Sequence, residues 1–79
     1  ADLTNADFQD ADLGDADLNY ADLTNADFQD ADLAYATLSE ADLKFAKFSG
    51  ATVTYANFDD TYWHETMWTD GVRYDTNQA

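Results

Sequence analysis

Apolar residues recur along this chain with a period of five. From Ala1 to Phe58, twelve consecutive units open with alanine and carry Leu, Phe or, once, Val two residues later. A helix turns about 100° per residue, so a step of five would spread the alanines around it. A flat strand alternates faces, so the same step would change sides. The pattern therefore predicts a chain that turns a corner after every five residues, with the alanine and the apolar residue facing inwards.

A second, longer period predicts how many corners make one coil. Residues 1–13 recur letter for letter at 21–33. Twenty residues are four units, so we expect four sides per coil, with coils hydrogen-bonded about 4.8 Å apart as in a sheet. Like residues then stack in four inner columns. These columns are Leu3, Leu23 and Leu43; Phe8, Phe28 and Phe48; Leu13, Leu33 and Val53; and Leu18, Leu38 and Phe58.

The unit A-(D/N)-(L/F)-x-x resembles the repeat of the pentapeptide repeat family. The resemblance covers residues 1–60 and departs from the pattern at Thr37, Lys47 and Thr52, where the family usually has Asp or Asn. It implies an all-β fold, a right-handed quadrilateral β-helix. At twenty residues per coil, the chain would form about three and a half coils followed by a C-terminal cap.

The alanine repeat stops after Phe58, which divides the chain into a β-helix over residues 1–60 and a terminal segment over residues 61–79. We expect the terminal segment to be the last partial coil and a cap, because an uncapped solenoid exposes its apolar interior. Two hypotheses remain open: its apolar residues close the coil, or they also join two copies in a two-fold homodimer. The candidate cap or dimer residues are Tyr62, Trp63, Met67, Trp68 and Tyr74.

The chain is strongly acidic, with 17 acids, three bases and a net charge of −14. The aspartates between alanine and the apolar residue would stack in acidic ladders. Unit charges about 4.8 Å apart repel by roughly 0.9 kcal/mol in water, which predicts raised pKa values and stability that rises as the pH falls. In the rival interpretation each aspartate accepts a backbone hydrogen bond at its corner, which lowers its pKa. The ladders are Asp2, Asp22 and Asp42, and Asp7 with Asp27.

Candidate chemistry is sparse. The acids repeat on convex outer faces, whereas acid–base catalysis needs carboxylates in a cleft. His64 is the sole histidine and the chain has no cysteine. A flat ladder offers Ca²⁺ two or three oxygens, fewer than the six to eight it prefers. We therefore expect no enzyme activity, cofactor or structural metal site. The corner aromatics Tyr35, Phe45 and Tyr55 are a candidate contact patch, although scattered exposed aromatics are common.

Charge and hydropathy also bear on partners and compartment. The acidic surface should repel nucleic acid and anionic membranes and attract basic protein surfaces. No apolar run approaches the roughly 20 residues of a membrane-spanning helix. A soluble protein, with the cytoplasm as the default compartment, is expected. The repeat is already in register at Ala1, which is consistent with a processed protein or a domain excised from a longer chain.

Two functions of different classes follow. The first is a non-catalytic structural or protein-interaction module with an unidentified protein partner. The second comes from the resemblance, because some pentapeptide repeat proteins mimic B-form DNA and bind a basic DNA-handling protein such as DNA gyrase. About three and a half coils would make a rod of roughly 17 Å, the length of about five base pairs. This alternative therefore favours a longer chain or an end-to-end dimer.

Overall fold

Parallel pairing between residues twenty apart builds the fold, which was obtained as a computed structural model that describes residues 2–79. The paired residues are the second of each five-residue unit, and the pairs occur on four successive sides. The chain therefore completes one circuit in twenty residues, with a corner after each unit. The first four pairs are Asp2–Asp22, Asp7–Asp27, Asp12–Asp32 and Asp17–Thr37.

Short ladders of backbone hydrogen bonds join each coil to the next. In the unit 21–25, the Leu23 N–H donates to the Asp42 carbonyl at 2.9 Å and the Asn25 N–H donates to the Lys44 carbonyl at 2.8 Å. The Asp42 N–H donates back to the Ala21 carbonyl at 3.0 Å. These bonds satisfy the backbone polar groups of segments too short to form conventional strands.

The corners are β-turns that require a left-handed residue. At the corner after Leu23, the Ala26 N–H donates to the Leu23 carbonyl at 3.0 Å. The fifth residue of every unit from Asn5 to Glu65 has a positive φ, for example 60° at Asn25. One positive φ at the third turn position is the pattern of a type II turn. Asn, Asp and Gly tolerate this conformation best, and they occupy many of the corners.

The inner columns form a continuous apolar core. In the second coil, residues 21–40, the alanines and the central residues are buried, with Leu23, Ala26 and Phe28 at 0% exposure. The rings of Phe8, Phe28 and Phe48 stack with centroids 5.0 and 4.8 Å apart. Alanine suits the other inward position because the four walls leave little room inside. The central residues of the first coil, Leu3, Phe8, Leu13 and Leu18, and Val53 of the third coil are half-buried.

An antiparallel hairpin ends the solenoid. Its strands are β1 (Thr66–Met67) and β2 (Arg73–Tyr74), with Thr66 opposite Tyr74 and Met67 opposite Arg73. Met67 also pairs in parallel with Lys47 of the preceding coil. The hairpin therefore covers the edge of the last coil on that side, which limits further pairing there.

Two tryptophans close the ends of the inner columns. The ring centroid of Trp68 lies 5.5 Å from Phe48, 5.2 Å from Phe58 and 5.1 Å from Trp63. Trp63 is 9% exposed, and its Nε1–H donates to the Thr61 hydroxyl at 2.7 Å. This cluster supplies the apolar cover that a further coil would otherwise provide.

The corner conformation predicts different responses at two glycines. Gly50 has φ +74°, and an added Cβ would collide with the Asp30 carboxylate, whereas Gly14 lies outside the left-handed region and its Cβ would sit 3.4 Å from Asp12 Oδ1. We expect Gly50→Ala to lower the free energy of unfolding by about 1–2 kcal/mol. Gly14→Ala should be neutral or stabilising by up to about 1 kcal/mol. Urea denaturation measures both, and equal midpoints would contradict the prediction.

Candidate functional site

The outward aspartates of the ladders also brace the corners. The Oδ1 atoms of Asp2, Asp22 and Asp42 each accept the backbone N–H of the residue two positions on, at 3.1 Å. Asp7 and Asp27 do the same at 3.0 Å. This is an Asx-turn, in which the side chain imitates a backbone turn. The ladder carboxylates therefore have a structural role before any functional one.

These hydrogen bonds decide the titration of two ladder residues. The pKa of Asp22 is lowered, first by the Thr24 hydroxyl, which donates at 2.7 Å, and then by the Thr24 backbone N–H. The pKa of Asp2 is lowered by the same two groups of Thr4, while the charge of Asp22 opposes the shift more weakly. The raised pKa values predicted from stacking are therefore wrong for Asp2 and Asp22. Direct hydrogen bonds outweigh repulsion between exposed charges because water screens that repulsion.

A second set of acids occupies the left-handed corners. Within residues 2–79, their carboxylates accept no hydrogen bond, and their side chains are exposed. Their charge can therefore be removed without removing a turn hydrogen bond. These corner aspartates are Asp10, Asp15, Asp30 and Asp60.

The few bases leave half of the outer surface purely acidic. Lys44 Nζ lies 3.3 Å from Asp42 Oδ2 on the first side, and Arg73 donates to the Glu65 carbonyl at 2.8 Å. Lys47 lies on the second side, one coil above Asp27 in the backbone pairing. We call acidic faces the third side (residues 11–15, 31–35 and 51–55) and the fourth side (16–20, 36–40 and 56–60). The acidic faces carry seven acids and no base.

Aromatic side chains occupy several corners and have different surroundings. Phe45 meets His64 edge-on at 5.3 Å. Tyr20 is 71% exposed, and a hydrogen bond with the Glu40 carboxylate raises its pKa. Tyr35 and Tyr55 stack on each other with ring centroids 5.4 Å apart and are 59% and 79% exposed. Both stacked rings lie on the third side, within the acidic faces.

Most of the candidate cap or dimer residues pack within the C-terminal end. Trp63 and Trp68 belong to the aromatic cluster, Met67 is half-buried in β1, and the Tyr74 hydroxyl donates to Asp70 Oδ2 at 2.7 Å. Tyr62 stays 60% exposed. Val72, another apolar residue of the terminal segment, is 51% exposed at the same end. These two side chains are the apolar surface left for contact.

His64 and a depression next to the C-terminal residues offer little chemistry. His64 Nδ1 lies 3.2 Å from Asp75 Oδ1, and within residues 2–79 no group of three or more potential ligands could hold a metal ion. A depression of about 260 Å³ contains one acid, Asp59. No helix in the described part of the chain is long and apolar enough to cross a membrane. The depression is lined by Ala56, Asn57, Phe58, Asp59, Asn77 and Ala79.

A comparison with protein families identifies the repeat. The family profile described as pentapeptide repeats matches residues 1–33 and 26–62, with eight copies. This chain belongs to the pentapeptide repeat family. Its members fold as right-handed β-helices, in agreement with the parallel pairing of this chain. No curated protein matches the sequence.

Solved structures of other pentapeptide repeat proteins resemble this one. HetL from the cyanobacterium Nostoc sp. strain PCC 7120, a pentapeptide repeat protein involved in heterocyst differentiation regulation, has a TM-score of 0.90 and 32% identity, over 92% of this chain and 34% of HetL. Rfr23 from the cyanobacterium Cyanothece 51142 has a TM-score of 0.67 and 23% identity, over 85% of this chain and 53% of Rfr23. The second likeness concerns the fold alone. This pentapeptide repeat chain spans about a third to a half of the length of the two structures.

The lowered pKa values predict how stability depends on pH. A folded-state pKa below the unfolded value means that the carboxylate stabilises the fold above about pH 4, and that this stabilisation is lost as the pH falls through the folded pKa. We expect the melting temperature of the wild type to fall more between pH 5 and pH 3 than that of Asp22→Asn. Asparagine keeps the turn, as Asn57 does by accepting the Asp59 N–H at 2.8 Å.

Asp10→Asn is the charge-matched control for this experiment, because Asp10 is an exposed corner aspartate without an Asx-turn. It should retain the steep acid dependence of the wild type. Melting curves that respond to acid equally in the wild type and Asp22→Asn would contradict the role of the Thr24 hydrogen bonds.

Proposed function

We propose that this pentapeptide repeat protein is a non-catalytic protein-interaction module that presents its acidic faces to a basic protein partner. The observation that carries the proposal is the segregation of charge, with seven acids and no base on the third and fourth sides. The corner carboxylates of Asp15 and Asp60 on these sides accept no turn hydrogen bond and are available for ion pairs. HetL, which is similar in structure, is involved in regulation of heterocyst differentiation, and a regulatory role is compatible with binding another protein.

The finer architecture belongs to the same proposal. We infer a right-handed quadrilateral β-helix over residues 1–60, of about three and a half coils with the partial fourth, and a cap over residues 61–79. The twenty-residue step of the parallel pairs and the resemblance to HetL support it. An acidic partner-binding surface accords with a soluble, cytoplasmic protein that does not bind nucleic acid or membranes directly. The proposal does not depend on either property.

A DNA-mimic role is the alternative function. The three principal extents are 25, 24 and 22 Å, and duplex DNA as long as the largest of them carries about 15 phosphates at one per ~1.7 Å. The net charge of −14 is close to this density. However, 25 Å corresponds to about seven base pairs at ~3.4 Å each, a short footprint for a DNA-handling enzyme. A DNA gyrase supercoiling assay tests the alternative, with inhibition by the protein as the result in its favour.

Two triple variants with equal charge test the proposed module. Asp15→Asn, Asp17→Asn and Asp32→Asn neutralise one corner and two Asx-turn carboxylates on the acidic faces. We expect this triple to weaken partner capture from a lysate of the source cell roughly ten-fold, from three ion pairs of about 0.5 kcal/mol each. Quantitative mass spectrometry of the captured proteins measures the loss.

The matched control neutralises the same kinds of residue on the second side. It combines Asp7→Asn, Asp10→Asn and Asp27→Asn, which again remove one corner and two Asx-turn carboxylates. This triple should retain the captured partner. If both triple variants lost the captured partner equally, the partner would be attracted by the total negative charge and not by a defined face. That result would contradict the proposal.

We infer further that the C-terminal end is a self-contained cap, because Trp63 and Trp68 pack within it. Light scattering should therefore find a monomer at high protein concentration. The homodimer hypothesis depends on the exposed Tyr62 and Val72. A dimer that Tyr62→Ser and Val72→Ser together convert to a folded monomer would overturn the self-contained cap and support the homodimer.

A further inference from the structure

Two stacked tyrosines stand at corners that their side chains do not favour. Tyr35 and Tyr55 have φ values of 63° and 56°, in the left-handed region that Asn, Asp and Gly tolerate best. Their rings stack with centroids 5.4 Å apart and planes 25° apart. A bulky aromatic residue in this conformation is uncommon and calls for an explanation.

Packing within the protein does not supply that explanation. The rings are 59% and 79% exposed, and within residues 2–79 neither hydroxyl forms a hydrogen bond to a protein group. The other corner aromatics have protein partners: Phe45 packs against His64, and Tyr20 interacts with Glu40. The contact of Tyr35 with Tyr55 alone leaves most of both ring surfaces open to another molecule.

The backbone register places a carboxylate in the same corner column. The Asp15 N–H donates to the Ala34 carbonyl at 3.0 Å, and the Tyr35 N–H donates to the Thr54 carbonyl at 2.9 Å. Asp15, Tyr35 and Tyr55 therefore follow one another along the solenoid axis, one coil apart. Small residues precede each of these corners. The preceding residues are Gly14, Ala34 and Thr54.

The charge around the column selects the partner's chemistry. The acidic faces hold seven acids and no base, so their charge attracts a cationic group, repels an anionic one and adds no charge attraction for a neutral one. Asp32 lies on the same side as Tyr35, and Asp17 lies at the start of the next side. A cation placed over either ring is attracted by its electron-rich face as well as by the carboxylates. Electrostatic complementarity therefore indicates a positively charged side chain.

We propose that the column Asp15–Tyr35–Tyr55 is a docking site for arginine side chains of a basic protein segment, an inference that rests on the proposed interaction module and names its surface. A planar guanidinium stacks on a tyrosine ring and can also donate two parallel hydrogen bonds to a carboxylate. The compact, strongly hydrated ammonium of lysine stacks less well. The site therefore distinguishes arginine from lysine, which a diffuse negative surface does not.

Fluorescence anisotropy with dye-labelled hexa-arginine and hexa-lysine peptides tests this site on the full chain at low salt. We expect the wild type to bind hexa-arginine roughly five-fold more tightly than hexa-lysine, as two cation–π contacts would give. The double variant Tyr35→Asn, Tyr55→Asn should lose this preference. Asparagine suits a left-handed corner, so the variant is expected to fold, and its melting curve verifies that it does.

Tyr20→Asn is the matched control, since it removes an equally exposed corner tyrosine that has no stacked ring partner. It should change hexa-arginine affinity less than two-fold. For charge, Asp15→Asn should weaken hexa-arginine binding more than Asp30→Asn, which alters a corner on the second side. Equal binding of the two peptides by the wild type, or equal losses from the tyrosine double variant and Tyr20→Asn, would overturn the proposal.

The proposed function and the arginine site fail in distinguishable ways. If the tyrosine double variant still captures the lysate partner while the acidic-face triple does not, the module stands and the arginine site is wrong. If the wild type selects arginine peptides through its tyrosines but captures no protein, the arginine site stands and the module is wrong.

Discussion

The left-handed residue at each corner is the constraint on which the rest of this structure depends. A positive φ at the fifth position lets the chain turn within five residues and close the turn with a backbone hydrogen bond, as between Ala26 and Leu23 at 3.0 Å. Because the turn is so short, alanine and the central apolar residue return to the inside in every unit. The stacked inner columns, and with them the apolar core, follow from this repeated geometry.

The same corner divides the acids into two kinds. An aspartate in the second position is drawn into an Asx-turn, as Asp22 is, and its charge is accompanied by a structural hydrogen bond. An aspartate in the fifth position, such as Asp15, is there because it tolerates the left-handed conformation. Both kinds add negative charge to the surface, but only the second kind has a carboxylate that accepts no turn hydrogen bond. The net charge alone therefore does not tell which carboxylates are available to a partner. That depends on the position of each carboxylate in the five-residue unit.

Much of the architecture could be predicted from the repeat, and less of the chemistry. The twenty-residue step follows from the recurrence of residues 1–13, because identical units must stack on identical units to keep one face inside. The positive φ was missed, although Asn, Asp and Gly at many fifth positions were a signal for it. The lowered pKa of Asp22 depends on a threonine hydroxyl at 2.7 Å, a distance that no sequence period supplies. The hairpin of β1 and β2 lies where the alanine repeat has ended, so the five-residue period could not predict it.

The register of twenty also bears on how such a chain can change its length. Inserting twenty residues between coils adds one complete layer, returns every side chain to its own column and leaves the hairpin on the same side. Inserting five would also preserve each corner, but it would rotate everything downstream by a quarter of a circuit. Phe48 would then no longer lie over Phe28, and the hairpin would move to an adjacent side. Local geometry permits growth by single units, whereas the stacked rings and the cap favour duplication of whole coils. The identical residues 1–13 and 21–33 are the pattern that such a duplication would leave.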